Sequence, residues 1–281
     1  MTIKIIADST CDLSEKHIKE NNIDILPLHI LLNEDIYEDG INITPDDIYA
    51  WSDMHKSTPT TAAPNIAEAI DILKRNIDYD HIICFTISSE FSSCFNSVNI
   101  AARDLEISEK VHIIDSRNLS SGIGLMILET ASMIRQNKDI YDILRKINNM
   151  IPKINGSFIA ETLTYLYRGG RCNSVEALAG AALKIHPMIA LHDGLMQVDR
   201  KYRGTMPKIL DKYIDDLDGK LQNADKKIIF LIHSGCEKEL IDQAYNRLVP
   251  YNFNDIQIIQ TGGVISSHCG PGAIGLFFIE Q

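Results

Sequence analysis

The sequence predicts an α/β fold of two α/β domains. Residues 1–152 carry a mainly parallel sheet flanked by helices, and residues 153–281 form a smaller domain with a mixed sheet. Three observations carry that reading. In the first half, the strand-like runs Ile3–Ile6, His81–Ile87 and Val111–Asp115 each give way to a polar loop, the alternation that builds parallel sheets. In the second half longer strands alternate with few helices, and Asp193-Gly194 is a hairpin signature between two of them. Finally, 281 residues exceed the usual span of one hydrophobic core.

From the start, Ile3–Ile6 is a β-rich strand, and Asp12 with Glu15 forms a capping pair for a helix over Glu15–Asn21. Ile23–Leu32 reads as one strand, turning at Asn33-Glu34-Asp35 into a hairpin with Ile36-Tyr37. Thr44-Pro45-Asp46-Asp47 opens a helix: a capping threonine, proline in the first turn, and acids at the positive dipole end. Lys56–Asn65 is a loop rich in Ser, Thr and Pro before a helix over Ile66–Asn76. Helical spacing returns over Asn96–Glu106, Ser120–Gln136 and Tyr141–Met150, and the stretch from Pro152 to Gly156 reads as a linker. Beyond it the strands are Gly156–Glu161, Met188–His192, Met196–Arg200, Lys227–His233 and Ile256–Gln260, with a helix-like run over Val175–Leu183. The end is a glycine-dense turn carrying His268, followed by the apolar strand Leu276–Ile279.

Composition excludes several classes of function. A net charge of -11 and a pI of 5.2 repel phosphate backbones and anionic bilayers, so neither nucleic acid nor stable membrane insertion is expected. No apolar run approaches the roughly 20 residues that span a bilayer. The opening residues read as a strand and not as a signal peptide, so the expected location is cytoplasmic. The cysteines (Cys11, Cys84, Cys94, Cys172, Cys236, Cys269) form no C-x-x-C pair, which leaves neither zinc nor redox motif and favours small buried hydrophobes. No cofactor and no metal are expected.

Gly270–Gly275 matches the letters of the dinucleotide-binding glycine pattern. That fingerprint needs a βαβ unit and an acidic residue about 20 positions on, and here a closing strand follows. No phosphate loop, G-x-S-x-G elbow or H-E-x-x-H helix is present. What remains is hydroxyls, one arginine and one histidine. Asp8-Ser9-Thr10, Ser88-Ser89 and Asp115-Ser116 all follow strands, and in a parallel sheet they share the carboxyl edge where ligands gather. Thr60 and Thr61, and Ser88, Ser89, Ser92 and Ser93, supply neutral donors for a carboxylate. Ser92 or Ser93 serves equally well as a helix cap, and Asp8 and Asp115 as turn residues. Arg171, beside Gly169-Gly170, is a surface arginine or a site residue, and His268 a structural or a functional histidine. Leu125, Met126, Ile127 and Met133 read as core.

Together and in order, Asp8–Leu13, Pro59–Asn65, Ile87–Phe95, Asp115–Gly122, Leu163–Arg171, Asp193-Gly194 and His268–Gly272 resemble the DegV family of bacterial fatty-acid-binding proteins, nearly end to end. The resemblance implies two α/β domains clasping one long-chain fatty acid at their junction. The acyl chain would lie in an apolar tunnel, its carboxyl group held by Thr61, Ser92 and the Ser93 backbone N–H, with Arg171 and His268 as the polar pair at the same end. Such proteins are not enzymes alone. They present the acid to a separate ATP-dependent fatty-acid kinase, whose acyl phosphate enters phospholipid synthesis. The chain departs from the family pattern at Ala62-Ala63 (commonly serine and glutamine) and at Ser93-Cys94 (glycine and threonine). It departs again at Cys172 (an aliphatic residue) and His186 (lysine). The alternative from another class is a stand-alone enzyme using His268 and Arg171 on a small anionic substrate. A long apolar cavity separates the carrier from the open polar cleft of the enzyme.

Overall fold

The computed structural model describes residues 1–172 and 185–281, so the helix-like run over Val175–Leu183 lies outside the described residues. The first half supplies strands β1 (Ile3–Asp8), β2 (Ile23–Leu26), β3 (His29–Leu32), β4 (Asp35–Glu38), β5 (Thr60–Ala62), β6 (His81–Thr86) and β7 (Val111–Asp115). Its helices are α1 (Glu15–Glu20), α2 (Pro45–His55), α3 (Ile66–Arg75), α4 (Cys94–Asp104), α5 (Ser121–Arg135) and α6 (Ile140–Met150). Strands β2-β1-β6-β7 make an all-parallel sheet, while β4-β3-β5 make a small antiparallel one.

The second half adds β8 (Ile154–Ile159), α7 (Thr164–Gly169), β9 (Ile185–His192), β10 (Leu195–Arg203), α8 (Met206–Gln222), β11 (Ile229–His233) and α9 (Lys238–Leu248). The chain then closes with β12 (Ile256–Gln260), α10 (Gly263–Cys269) and β13 (Ile274–Ile279). Its sheet runs β10-β9-β8-β13-β11-β12, antiparallel except for the β11–β12 pair. The mixed sheet expected here is therefore present, and at six strands it is wider than the four-stranded parallel one. Helix α5 touches β1 and β6 on one side and β8 and β13 on the other. Being covered from both sides, it is apolar nearly all round, with Ile123 to Ile127 buried. Leu125, Met126 and Ile127 are core, whereas Met133 is only partly buried against it. One apolar cluster runs through both halves, joining Ile83 and Phe85 to Phe158, Phe230 and Phe277. A second, around Tyr213 and Leu217, packs α8 against the far face of the mixed sheet.

Helices α2 and α3 start on complete capping boxes, Thr44 with Asp47 and Asn65 with Glu68. Other local expectations are corrected. Ile23–Leu32 is two strands in different sheets, because Pro27 has no N–H to give a ladder and the Leu28 N–H is taken by Ser9 Oγ at 3.1 Å. The Lys56–Asn65 loop contains β5, paired with β3. The expected linker is a single 3-10 turn over Ile151–Lys153 that leads directly into β8. Helix α1 is capped by Ser14, whose Oγ accepts from the His17 N–H at 3.2 Å. Asp12 cannot cap it, since it is buried and bonded elsewhere.

The glycine-dense turn carrying His268 is in fact α10. Gly, Val, Ile, Ser and His are mediocre helix formers, and no residue at its start offers a side-chain cap. Two distant carboxylates do the capping: Asp12 Oδ1 accepts from the Gly262 N–H at 2.8 Å and Asp39 Oδ1 from the Gly263 N–H at 2.7 Å.

Candidate functional site

The carboxyl edge of the parallel sheet assembles as the strand order predicts. Asp8, at the end of β1, accepts from the Ile87 N–H at 2.7 Å and from Thr10 Oγ1 at 2.6 Å. Asp115, at the end of β7, accepts from Ser89 through the backbone N–H (3.1 Å) and Oγ (2.7 Å). These bonds hold the loop after β6 in the turn that presents Phe91, Ser92 and Ser93. Asp8 and Asp115 thus fulfil the turn-holding role and do not line the cavity that follows.

Above that turn lies a cavity of about 320 Å³. Leu28, Ile87, Phe91, Leu119, Met196 and Ile265 supply much of its apolar wall, and Thr61, Ser92, Ser93, Arg171 and His268 its polar part. All five residues singled out in the sequence therefore face one space, brought from β5, the β6–α4 turn, the segment after α7, and α10. Arg171 is the one side-chain cation, and no carboxylate is present, in the lining formed by the described residues.

Thr61 Oγ1 and His268 Nε2 are 2.8 Å apart. His268 Nδ1 is buried with no partner. It packs against Gly169, where a Cβ would lie 2.4 Å from Nδ1, so only glycine leaves room for the ring. Burial first, and the neighbouring Arg171 charge second, push the His268 pKa down to about 4. The imidazole is thus neutral at pH 7. A buried N–H without an acceptor costs more than a bare lone pair, which assigns the proton to Nε2, donating to Thr61 Oγ1. The Thr61 hydroxyl hydrogen is then free to point into the cavity.

Ser92 Oγ accepts from the Cys94 N–H at 3.2 Å, so it caps the start of α4 and retains its own proton for a second bond. Ser93 is the residue before α4, exposed and without a side-chain cap bond. Arg171 Nη1 donates to the Gly169 carbonyl at 2.8 Å, and its side chain is otherwise exposed. The result is a cluster of neutral donors at a helix N-terminus with one cation beside it, suited to a carboxylate.

Of the departures from the family pattern, Ala62 and Ala63 line the cavity. Cys94 is buried below it with its thiol on Asp8, and Cys172 Sγ reaches the Met196 carbonyl at 3.6 Å. His186 Nδ1 lies 3.2 Å from the Ala160 carbonyl, away from the site. The walls Leu119 and Met196 had no signal in the sequence, because an apolar residue facing a cavity is indistinguishable there from one facing the core. The capping of α10 by Asp12 and Asp39 had no signal in the sequence, because neither acid is near that helix in the chain.

The family model described as "Uncharacterised protein, DegV family" matches residues 2–281. The chain belongs to the DegV family. A DegV domain-containing protein of Clostridium perfringens is 32% identical over 280 residues, covering 99% of both chains. Among solved structures, a DegV family protein from Thermus thermophilus, described by its fatty-acid binding, superposes with a TM-score of 0.92 at 23% identity, each chain covered fully. A stearic-acid-binding protein from Eubacterium ventriosum superposes with a TM-score of 0.87 at 26% identity, over 99% of this chain and 98% of that one. The DegV fold is thereby established for this chain. Among its described residues no helix is long and apolar enough to cross a membrane, and no group of three or more His, Cys, Asp or Glu is placed to hold a metal.

Proposed function

We propose that this DegV protein is a cytoplasmic carrier that binds one long-chain fatty acid and presents its carboxyl group to a separate ATP-dependent fatty-acid kinase. The observation that carries the reading is a cavity in which a mainly apolar wall ends at Thr61, Ser92, Ser93, Arg171 and His268. Its volume of about 320 Å³ lies at the lower end of the roughly 300–1,000 Å³ usual for small-molecule pockets. Each methylene buried there contributes on the order of 0.8 kcal/mol, so the chain supplies most of the affinity. A carboxylate left bare in such a place would be costly. Thr61 and Ser92 hydroxyls and the Ser93 N–H offset that cost, and Arg171 adds a charge at the mouth. The carboxyl group would sit where residues 1–152 meet residues 153–281, the two domains of the carrier. The acid bound by the stearic-acid-binding relative supports the same ligand class.

The enzyme alternative is weaker here. With a pKa of about 4 and its Nε2 engaged by Thr61, His268 is a poor acid or base at neutral pH. The deciding experiment is native mass spectrometry of the purified protein, followed by lipid extraction. A stoichiometric fatty acid is expected. A protein that stays empty with added fatty acids overturns the carrier reading. Formation of acyl phosphate from the loaded protein, ATP and a fatty-acid kinase, and not from any of them alone, is the test of presentation.

A further inference from the structure

The hairpin of β9 and β10 belongs to the second sheet, yet its tip, Asp193-Gly194, lands on the loops at the carboxyl edge of the first. Ser88 Oγ donates to the Gly194 carbonyl at 2.8 Å, in a buried bond. The Arg117 guanidinium donates through Nη2 to the Asp193 carbonyl and through Nη1 to Glu90 Oε1 at 3.0 Å. Gly194 holds a φ of +83°, and a Cβ there would lie 2.7 Å from Arg117 Nε and 2.8 Å from Ser88 Oγ. The positive φ favours glycine at this seat, and a Cβ there would press on the Arg117 and Ser88 side chains.

Both ends of this contact lead to the cavity. Two residues beyond the tip, Met196 is buried and forms part of the cavity wall. On the receiving side, the Ser88 carbonyl accepts from the N–H groups of Phe91 (2.9 Å) and Ser92 (3.3 Å), so Ser88 closes the turn that presents Phe91, Ser92 and Ser93. Arg117 itself does not line the cavity.

We infer that Ser88 and Arg117 form a latch that holds the β9–β10 hairpin closed over the acyl chain, making Arg117 a positioning residue that sets how long the ligand stays. The inference rests on the fatty-acid reading for its ligand, whereas the latch contacts are made between protein groups alone. Without Arg117 the tip keeps the Ser88 bond and loses its outer anchor. Met196 then samples positions off the cavity, which shortens residence without removing any group from the carboxyl site.

The test has two arms, run on the full chain with Arg117→Ala, Arg117→Lys and Ser92→Ala. Hydrogen exchange of residues 193–198 in delipidated protein reads the latch. Transfer of a pyrene-labelled C16 fatty acid to excess phosphatidylcholine vesicles reads residence. Arg117→Ala is expected to speed both, transfer by about tenfold, and Arg117→Lys to restore part of each. Ser92→Ala is expected to speed transfer with the hairpin as protected as in the wild type. An Arg117→Ala hairpin as protected as the wild type overturns the latch. A loosened hairpin with unchanged transfer overturns its role in residence. Wild-type protein that takes up no labelled acid overturns the fatty-acid reading and leaves the exchange arm to decide the latch.

Discussion

Two of the elements that reach the cavity from the second half of the chain, α10 and the β9–β10 hairpin, are anchored differently. Helix α10, which brings His268 and Ile265, hangs from carboxylates that water does not reach: Asp12 and Asp39 are nearly fully buried. Ser120 Oγ donates to Asp12 at 2.5 Å and Ser9 Oγ to Asp39 at 2.8 Å, so each acid is used on both oxygens. The β9–β10 hairpin, which brings Met196, hangs in part from Arg117, whose side chain remains 34% exposed. Buried bonds with no substitute in water are costly to lose, whereas a solvated pair such as Arg117–Glu90 adds little stability, so the hairpin rests mainly on the buried Ser88 bond. The α10 attachment is therefore the costlier of the two to break, and the outer Arg117 anchor of the hairpin the cheaper.

The sharpest break in that contrast is Asp39→Ala. It strands the Gly263 N–H and the Ser9 hydroxyl, and stability is expected to fall by on the order of 3 kcal/mol, read as a lower urea midpoint. Next is Ser92→Ala. Loss of a donor to a carboxylate is expected to weaken acid binding by about tenfold. Ser157→Ala leaves binding unchanged, because Ser157 Oγ is bonded to Tyr213 in the far core. Equal affinities for these two variants in a displacement titration would remove Ser92 from the site.

A pH series sharpens the α10 side. Burial, reinforced by Asp39 and Asp8, pushes the Asp12 pKa up to about 7, and burial pushes Asp39 up to about 6. The folded chain then binds a proton at Asp12 that the unfolded chain, with an ordinary carboxyl near 4, releases. That contribution is present in acid and lost as pH rises through 7. The wild type should accordingly gain stability relative to Asp12→Asn between pH 8 and pH 5. A difference that does not change with pH would show that Asp12 titrates normally. The smallest effect is expected on the hairpin side: Arg117→Ala should change the urea midpoint by no more than about 1 kcal/mol's worth. A drop as large as that of Asp39→Ala would erase the distinction between the two attachments.

Much of this architecture was legible from local pattern. Strand-loop-helix alternation placed Asp8, Ser88 and Asp115 on one sheet edge, and glycines beside Arg171 and His268 marked close approach. Among the features that were not legible, three share one reason. The split at Pro27 depends on Ser9, the hairpin seat on Arg117, and α10 on acids 250 and 224 residues away in the chain.

Periodicity, turn chemistry and caps act between residues a few positions apart, so the chain alone specified its α/β class, the approximate helix positions of the first half and the hydroxyls, arginine and histidine of the candidate site. Folding was needed to make a helix of Gly263–Cys269, to take Asp12 from capping α1 to capping α10, and to turn Leu119 and Met196 from core into cavity wall. Those outcomes depend on hydrogen bonds and packing between segments that meet only in space, and their free energy appears in no local window.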